Sequence, residues 1–153
     1  GYITKEVDYL KDYYGFPGMN VIQFAFNENF DSNYLPHNYK RNSVVYASTH
    51  DSSTLKGWLD SLDEEELSFV TRYFGLKEDD DYLWKIIRAL MASVSDVAMY
   101  QIQDFFELGD ESKINSPSTL GINWKWRSKK EDYTEELAEK IKEMSRLYGR
   151  YNG

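Results

Sequence analysis

This chain has few residues with which to do chemistry. It contains no cysteine, which removes a thiolate nucleophile, a thiolate metal site and a disulfide framework together. Its two histidines, His37 and His50, lie in separate polar motifs, and with no second histidine at ligand spacing a zinc site lacks its donor set. No Gly-x-Ser-x-Gly elbow is present, so a serine nucleophile of the α/β-hydrolase kind has no support. What remains is Thr49-His50-Asp51, directly after the apolar run Val44-Val45-Tyr46-Ala47-Ser48. An imidazole beside a carboxylate at the end of a buried strand is a site-building arrangement, because parallel strands present their C-terminal ends to the loops that bind substrates. Two plainer readings stand beside it. His50 could serve only to bond the backbone, and Asp51 could cap the helix that follows.

The elements that would position this triplet can be read along the chain. Thr4 caps a short surface helix with Val7, Leu10 and Tyr14 on one face, and Gly15-Phe16-Pro17-Gly18 ends it. Met19 to Phe26 is an apolar run of the kind expected for a parallel strand buried on both faces. A polar loop from Asn27 to Ser43 leads to the second strand, Val44 to Ser48. Ser52 or Ser53 is expected to cap a helix with Leu55, Trp58, Leu59 and Leu62 in phase. Asp63 and Glu66 form a capping box for the next helix, which Gly75 stops. Leu83, Ile87, Leu90 and Val94 mark a further helix, and Val97 to Ile102 a third strand ending at Gln103-Asp104. After an irregular stretch from Leu108 to Lys130, Leu137, Ile141, Met144 and Tyr148 define a last amphipathic helix. Strands separated by helices and long crossovers imply parallel pairing and an α/β class. Three strands are too few for a barrel, so the chain is either a small open sheet or a piece of something larger.

Composition narrows the partners. With 26 acidic and 18 basic residues the net charge is -8, which opposes binding to nucleic acid or an anionic membrane. No apolar run approaches the roughly 20 residues of a membrane span, and the first residues do not read as a signal peptide. A cytoplasmic protein fits these features.

The joint pattern of motifs goes further than any one of them. Pro17-Gly18-Met19, Gln23-Phe24-Ala25-Phe26, Leu35-Pro36-His37-Asn38-Tyr39, Thr49-His50-Asp51, Gln103-Asp104 with Leu108-Gly109, and Asn123-Trp124-Lys125-Trp126-Arg127 follow one another over nearly the whole chain. In order and approximate spacing this resembles the 4-α-glucanotransferases, the amylomaltases or disproportionating enzymes of the α-amylase clan. The resemblance implies that residues 1–153 are a single C-terminal piece of a catalytic (β/α)8 barrel, holding its last three strands. It implies α-1,4-glucans and maltooligosaccharides as partners and no metal or organic cofactor. Asp51 matches the family's third carboxylate, which stabilises the transition state, and His50 and Asn115 match substrate-binding positions. The nucleophile and the acid/base would lie upstream, so the segment alone is expected to be inactive and prone to self-association. A hydrolytic α-glucanase of the same clan and a non-catalytic carbohydrate-binding module are the alternatives.

The composition suits such ligands, since 13 tyrosines and 4 tryptophans are rings that cover sugar CH faces while keeping a polar tip. Most are expected in the core and its rim. Ser52-Ser53 stand where the family usually has Asn-Asp, Lys113 where it more often has arginine, and Ser118 where it has glycine. Leu35 to Tyr39 reads equally as a loop clamp or as part of the site, Gln103-Asp104 as a loop clamp, and Asn123 to Arg127 as a packing anchor rather than a sugar contact.

Overall fold

The structure, a computed structural model, describes residues 4–26 and 32–151. Residues 27–31 of the expected polar loop lie outside the described residues.

Three short strands, β1 (Gly18–Val21), β2 (Ser43–Tyr46) and β3 (Val97–Met99), pair in parallel in the order β1-β2-β3. The α/β class expected from the sequence is therefore what the chain adopts. Helix α1 (Lys5–Tyr13) precedes the sheet, with the Thr4 hydroxyl accepting from the Val7 N–H, and none of its residues is buried. Between β2 and β3 run α2 (Leu55–Ser61), α3 (Glu64–Phe74) and α4 (Tyr82–Met91); α5 (Ile102–Phe105) and α6 (Glu135–Leu147) follow β3.

Local chemistry explains most of these boundaries. In α3 the Asp63 carboxylate accepts from the Glu66 N–H while the Glu66 side chain accepts from the Asp63 N–H, the reciprocal box expected. Gly75 ends that helix at φ +62°, a conformation in which a Cβ is strained. Asp81 caps α4, whose Leu83, Trp84, Ile86, Ile87, Leu90 and Met91 are all buried. Thr134 caps α6.

The register sorts the strand residues onto two faces, because registered partners of a parallel pair project to the same side. Val45 and Ala98 face α2, α3 and α4, and Val45 joins Ala47, Leu55, Trp58, Val70, Ile86, Ile87 and Leu90 in the core. On the opposite face stand Met19, Val44 and Val97, and then Val21, Tyr46 and Met99. Of these six only Val21 is buried, and Met19, Val97 and Met99 are 57%, 45% and 49% exposed. One side of the sheet carries the core, and the other is an apolar wall on which, among the described residues, only the Val21 position is covered.

Several expected boundaries move. The first strand stops at Val21, and Ile22–Phe24 turns into a 3-10 helix that still buries Ile22, Ala25 and Phe26. It is not buried on both faces. Helix α2 is capped by Thr54, whose hydroxyl accepts from the Gly57 N–H, and not by Ser52 or Ser53. Val94 lies beyond the end of α4 and is exposed. The third strand ends at Met99, and Gln103 and Asp104 sit in the single turn of α5.

Candidate active site

β2 is the central strand, and the segment leaving its C-terminal end carries Thr49, His50 and Asp51. That segment is clamped from both neighbouring strands. From the β1 side, the Gln23 amide donates to the carbonyls of Ala47 and Ser53. From the β3 side, the Gln101 amide donates to Ser48 Oγ and to the Thr49 carbonyl. Asp104, fully buried, accepts from the Ser48 hydroxyl and, at 2.8 Å, from the Leu55 N–H that opens α2. Asp110 accepts from Ser53 Oγ at 2.9 Å and from the Thr54 N–H at 3.0 Å. Two carboxylates thus sit on the free N–H groups of one helix start, where the helix dipole favours negative charge. Burial pushes the Asp104 carboxyl above its ordinary value, opposed by the hydrogen bonds from Leu55 and Ser48.

His50 and Asp51 form the turn held by this frame, and Asn115 reaches them from 64 positions further along the chain. Its backbone N–H donates to the His50 carbonyl at 3.0 Å and its side-chain amide donates to Asp51 Oδ1 at 2.6 Å. The other Asp51 oxygen, Oδ2, stands 3.3 Å from His50 Nε2. The three residues singled out from the sequence therefore meet in one cluster, each Asp51 oxygen oriented by one of the other two. The Asp51 and His50 side chains remain 49% and 52% exposed. A carboxylate so oriented, with half its surface open, can accept hydrogen bonds from hydroxyls and stabilise a developing positive charge. Because Thr54, Asp104 and Asp110 take the free N–H groups of α2, the reading of Asp51 as that helix's cap does not hold.

The loop that delivers Asn115 is closed on itself. The Trp124 N–H donates to the Ile114 carbonyl at 2.7 Å, and the Asn123 side chain ties Ser116 and Thr119. Asn123 is the structural residue the sequence suggested, whereas Trp124 departs from the packing role. It is 59% exposed, holds φ +64°, and places its ring 5.3 Å from the His50 imidazole. Ser118 also holds φ +64°. Leu35 to Tyr39 behaves as a clamp: His37 Nδ1 lies 2.9 Å from the Tyr73 hydroxyl and the Asn38 amide donates to the Ser32 carbonyl. Sequence reasoning missed Gln23, Gln101 and Asp110 as the positioning frame; for the two glutamines the available signal was a polar side chain two residues past the end of β1 and of β3, and Asp110, beyond α5, carried none. Among the described residues no group of three His, Cys, Asp or Glu side chains is placed to hold a metal ion.

The sheet is parallel, and an exposed carboxylate and imidazole follow the end of its central strand, joined by an amide from a later loop. Comparison with known proteins identifies the family. The family model described as 4-alpha-glucanotransferase matches residues 1–133, and the chain belongs to that family. It is similar to the 4-alpha-glucanotransferase of Clostridium butyricum, 46% identical over 151 residues, covering 98% of this chain and 31% of the relative. The chloroplastic/amyloplastic 4-alpha-glucanotransferase of Arabidopsis thaliana is 40% identical over 153 residues, covering 98% of this chain and 27% of the relative. Among solved structures, amylomaltase from Streptococcus agalactiae in complex with acarbose superposes with a TM-score of 0.94 at 35% identity, covering 99% of this chain and 31% of that one. The chain thus spans about a third of the length of the relatives it matches. No helix among the described residues is long and apolar enough to cross a membrane.

Proposed function

We propose that this chain forms one wall of the glucan cleft of a retaining 4-α-glucanotransferase, which moves α-1,4-glucan segments between maltooligosaccharides. In this reading residues 1–153 hold the last three strands of a (β/α)8 barrel, and the uncovered apolar face of the sheet is part of the barrel's interior. The observation that carries the reading is the convergence of His50, Asp51 and Asn115 at the C-terminal end of the central parallel strand. The likeness to an amylomaltase solved with acarbose supports a maltooligosaccharide ligand. A cytoplasmic location belongs to the same proposal and draws on the cysteine-free composition.

Chemistry divides the roles. A retaining mechanism needs two carboxyl groups roughly 5 Å apart, one as nucleophile and one as acid/base. The family resemblance implies that Asp51 works as a third carboxylate that stabilises the oxocarbenium-like transition state and grips hydroxyls, a role its amide and imidazole neighbours suit. His50 and Asn115 fix its orientation and add hydrogen bonds to the same sugar. Transfer to a second glucan in place of water depends on acceptor contacts and on excluding solvent, which loops and exposed rings supply.

The test is Asp51→Asn in the intact protein, with maltotriose as substrate. Turnover should fall by at least about 10² to 10³, the scale for loss of one preorganised electrostatic contact. Oligosaccharide affinity should fall less, and stability should hold, since Asp51 caps no helix. Near-normal turnover would remove Asp51 from the machinery. Longer glucans among the wild-type products mark a transferase; only shorter ones mark a hydrolase.

A further inference from the structure

Trp124 holds a conformation at the site that burial does not explain. A tryptophan at the base of a loop ordinarily anchors it by burial. Trp126, two residues on, is half-buried, whereas Trp124 leaves 59% of its surface in solvent. Its backbone sits at φ +64°, a region costly for a residue with a Cβ. Bonds on both sides hold it there: its N–H donates to the Ile114 carbonyl at 2.7 Å and its carbonyl accepts from Arg127 Nη1 at 3.0 Å. Arg127 reinforces the turn by donating also to the Trp126 carbonyl at 2.7 Å. Strain is therefore spent on aiming an exposed indole, and the direction is toward His50, with the ring centroids 5.3 Å apart and the planes inclined by 38°.

The same loop closure links Trp124 to the polar cluster. Ile114, which accepts the Trp124 N–H, is followed by Asn115, which bonds both His50 and Asp51. One short segment thus sets an apolar ring and a hydroxyl-binding group side by side. A pyranose offers that pair of surfaces, with CH groups on its face and hydroxyls at its rim. An aromatic plate beside amide, imidazole and carboxylate groups matches it better than it matches a wholly polar or wholly apolar ligand.

The geometry points to Trp124 as a sugar-stacking residue: its exposed indole face carries a glucosyl unit adjacent to the one gripped by Asp51, His50 and Asn115, and so sets the preference for longer glucans. This rests on the glucan reading given above. The role differs from that of Asp51, because stacking on a neighbouring unit adds affinity for ground state and transition state alike.

The experiment compares Trp124→Ala and Trp124→Phe with the wild type in the intact protein, measuring dissociation constants for glucose and maltoheptaose by calorimetry together with kcat and KM. Trp124→Ala should weaken maltoheptaose binding about tenfold, or about 1.4 kcal/mol, and raise KM for the long substrate with kcat nearly kept. Glucose binding should change much less, and Trp124→Phe should recover most of the loss. An unchanged preference for maltoheptaose over glucose in Trp124→Ala overturns the inference, as does an equal loss for both ligands, which is the mark of a loop that has lost its shape. The two readings fail separately. Glucan binding that needs Asp51 and ignores Trp124 sinks only this inference, whereas a wild-type protein that binds no glucan sinks both.

Discussion

Asp104 shows how a buried carboxylate can serve a site it never touches. It receives the Ser48 hydroxyl with one oxygen and the Leu55 N–H with the other, and so joins the segment before His50 to the helix after Asp51. Desolvation raises its pKa in the folded protein. Between the ordinary carboxyl value of 3.8 and that raised value, the folded state binds more protons than the unfolded chain. The stabilisation associated with this group is therefore complete below the unfolded pKa and is lost as the pH rises through the folded one. Asp104→Asn keeps an acceptor for Leu55 and a polar contact for Ser48 but cannot titrate, so it should flatten that part of the pH-stability curve. Asp104→Ala should cost about 1–3 kcal/mol at all pH values, because the Leu55 N–H then lies buried and unpaired. Urea titrations of both variants at several pH values check this; a wild-type slope retained by Asp104→Asn would show that other groups produce it. At this scale the sequence is informative only where partners are neighbours. His50 and Asp51 are adjacent and follow a strand, so their pairing is legible. Asn115 entered through family likeness, since no spacing brings position 115 to position 51, and the exposure of Trp124 depends on a backbone angle that composition does not encode.

Elements were legible in proportion to how local their signals are. The Asp63–Glu66 box and the Gly75 stop are decided within a few residues, and both form as expected. The start of α2 could not be read the same way, because Ser52, Ser53 and Thr54 are consecutive hydroxyl residues and all are good caps. The choice of Thr54 goes with the carboxylates of Asp104 and Asp110, which occupy the neighbouring N–H groups from about 50 residues away. Met19 to Phe26 misled for a related reason. A continuous apolar run has no period, so it does not reveal that the chain leaves the sheet at Ile22 while burying the same side chains. Gly57 in α2 makes the tertiary control testable. Alanine is the better helix former by about 1 kcal/mol, yet a Cβ at position 57 would lie 2.2 Å from Asp110 Oδ1 and 3.1 Å from the Asp110 backbone nitrogen. Gly57→Ala should therefore destabilise by about 1–2 kcal/mol, as overpacking does, by driving Asp110 from Thr54. In an Asp110→Ala background the same substitution should cost little or become favourable. Equal effects in both backgrounds, measured by thermal unfolding, would mean that the helix start does not depend on Asp110.

At the scale of the whole chain, the described residues cover one face of the sheet, and on the other only Val21 is buried. Helices α2, α3 and α4 close over Val45 and Ala98, while Met19, Val97 and Met99 leave about half their surfaces in water with Val44 and Tyr46 between them. Parallel sheets are ordinarily covered on both faces, and the outer edges of β1 and β3 have no paired neighbour among the described residues. An apolar wall of this kind favours association, so the 153-residue chain alone should sediment as a concentration-dependent mixture and bind a hydrophobic dye. The face responsible can be identified by charge. Met19→Lys and Met99→Glu place charged groups where the side chains are already half in solvent, so each should alter the stability of a monomer by no more than about 0.5 kcal/mol. In a sheet-to-sheet contact the same groups would be buried against apolar partners and would cost several kcal/mol unless paired. The double variant should consequently shift the chain toward monomer and reduce dye binding with its unfolding midpoint nearly unchanged. Sedimentation velocity over a range of concentrations reads the outcome. Association that persists undiminished would move the contact to another exposed surface, of which the aromatic face of α1, with Tyr9, Tyr13 and Tyr14 more than 60% exposed, is the next to test. A compact monomer for the wild type would remove the premise, by showing that an uncovered wall of this size is tolerated in water.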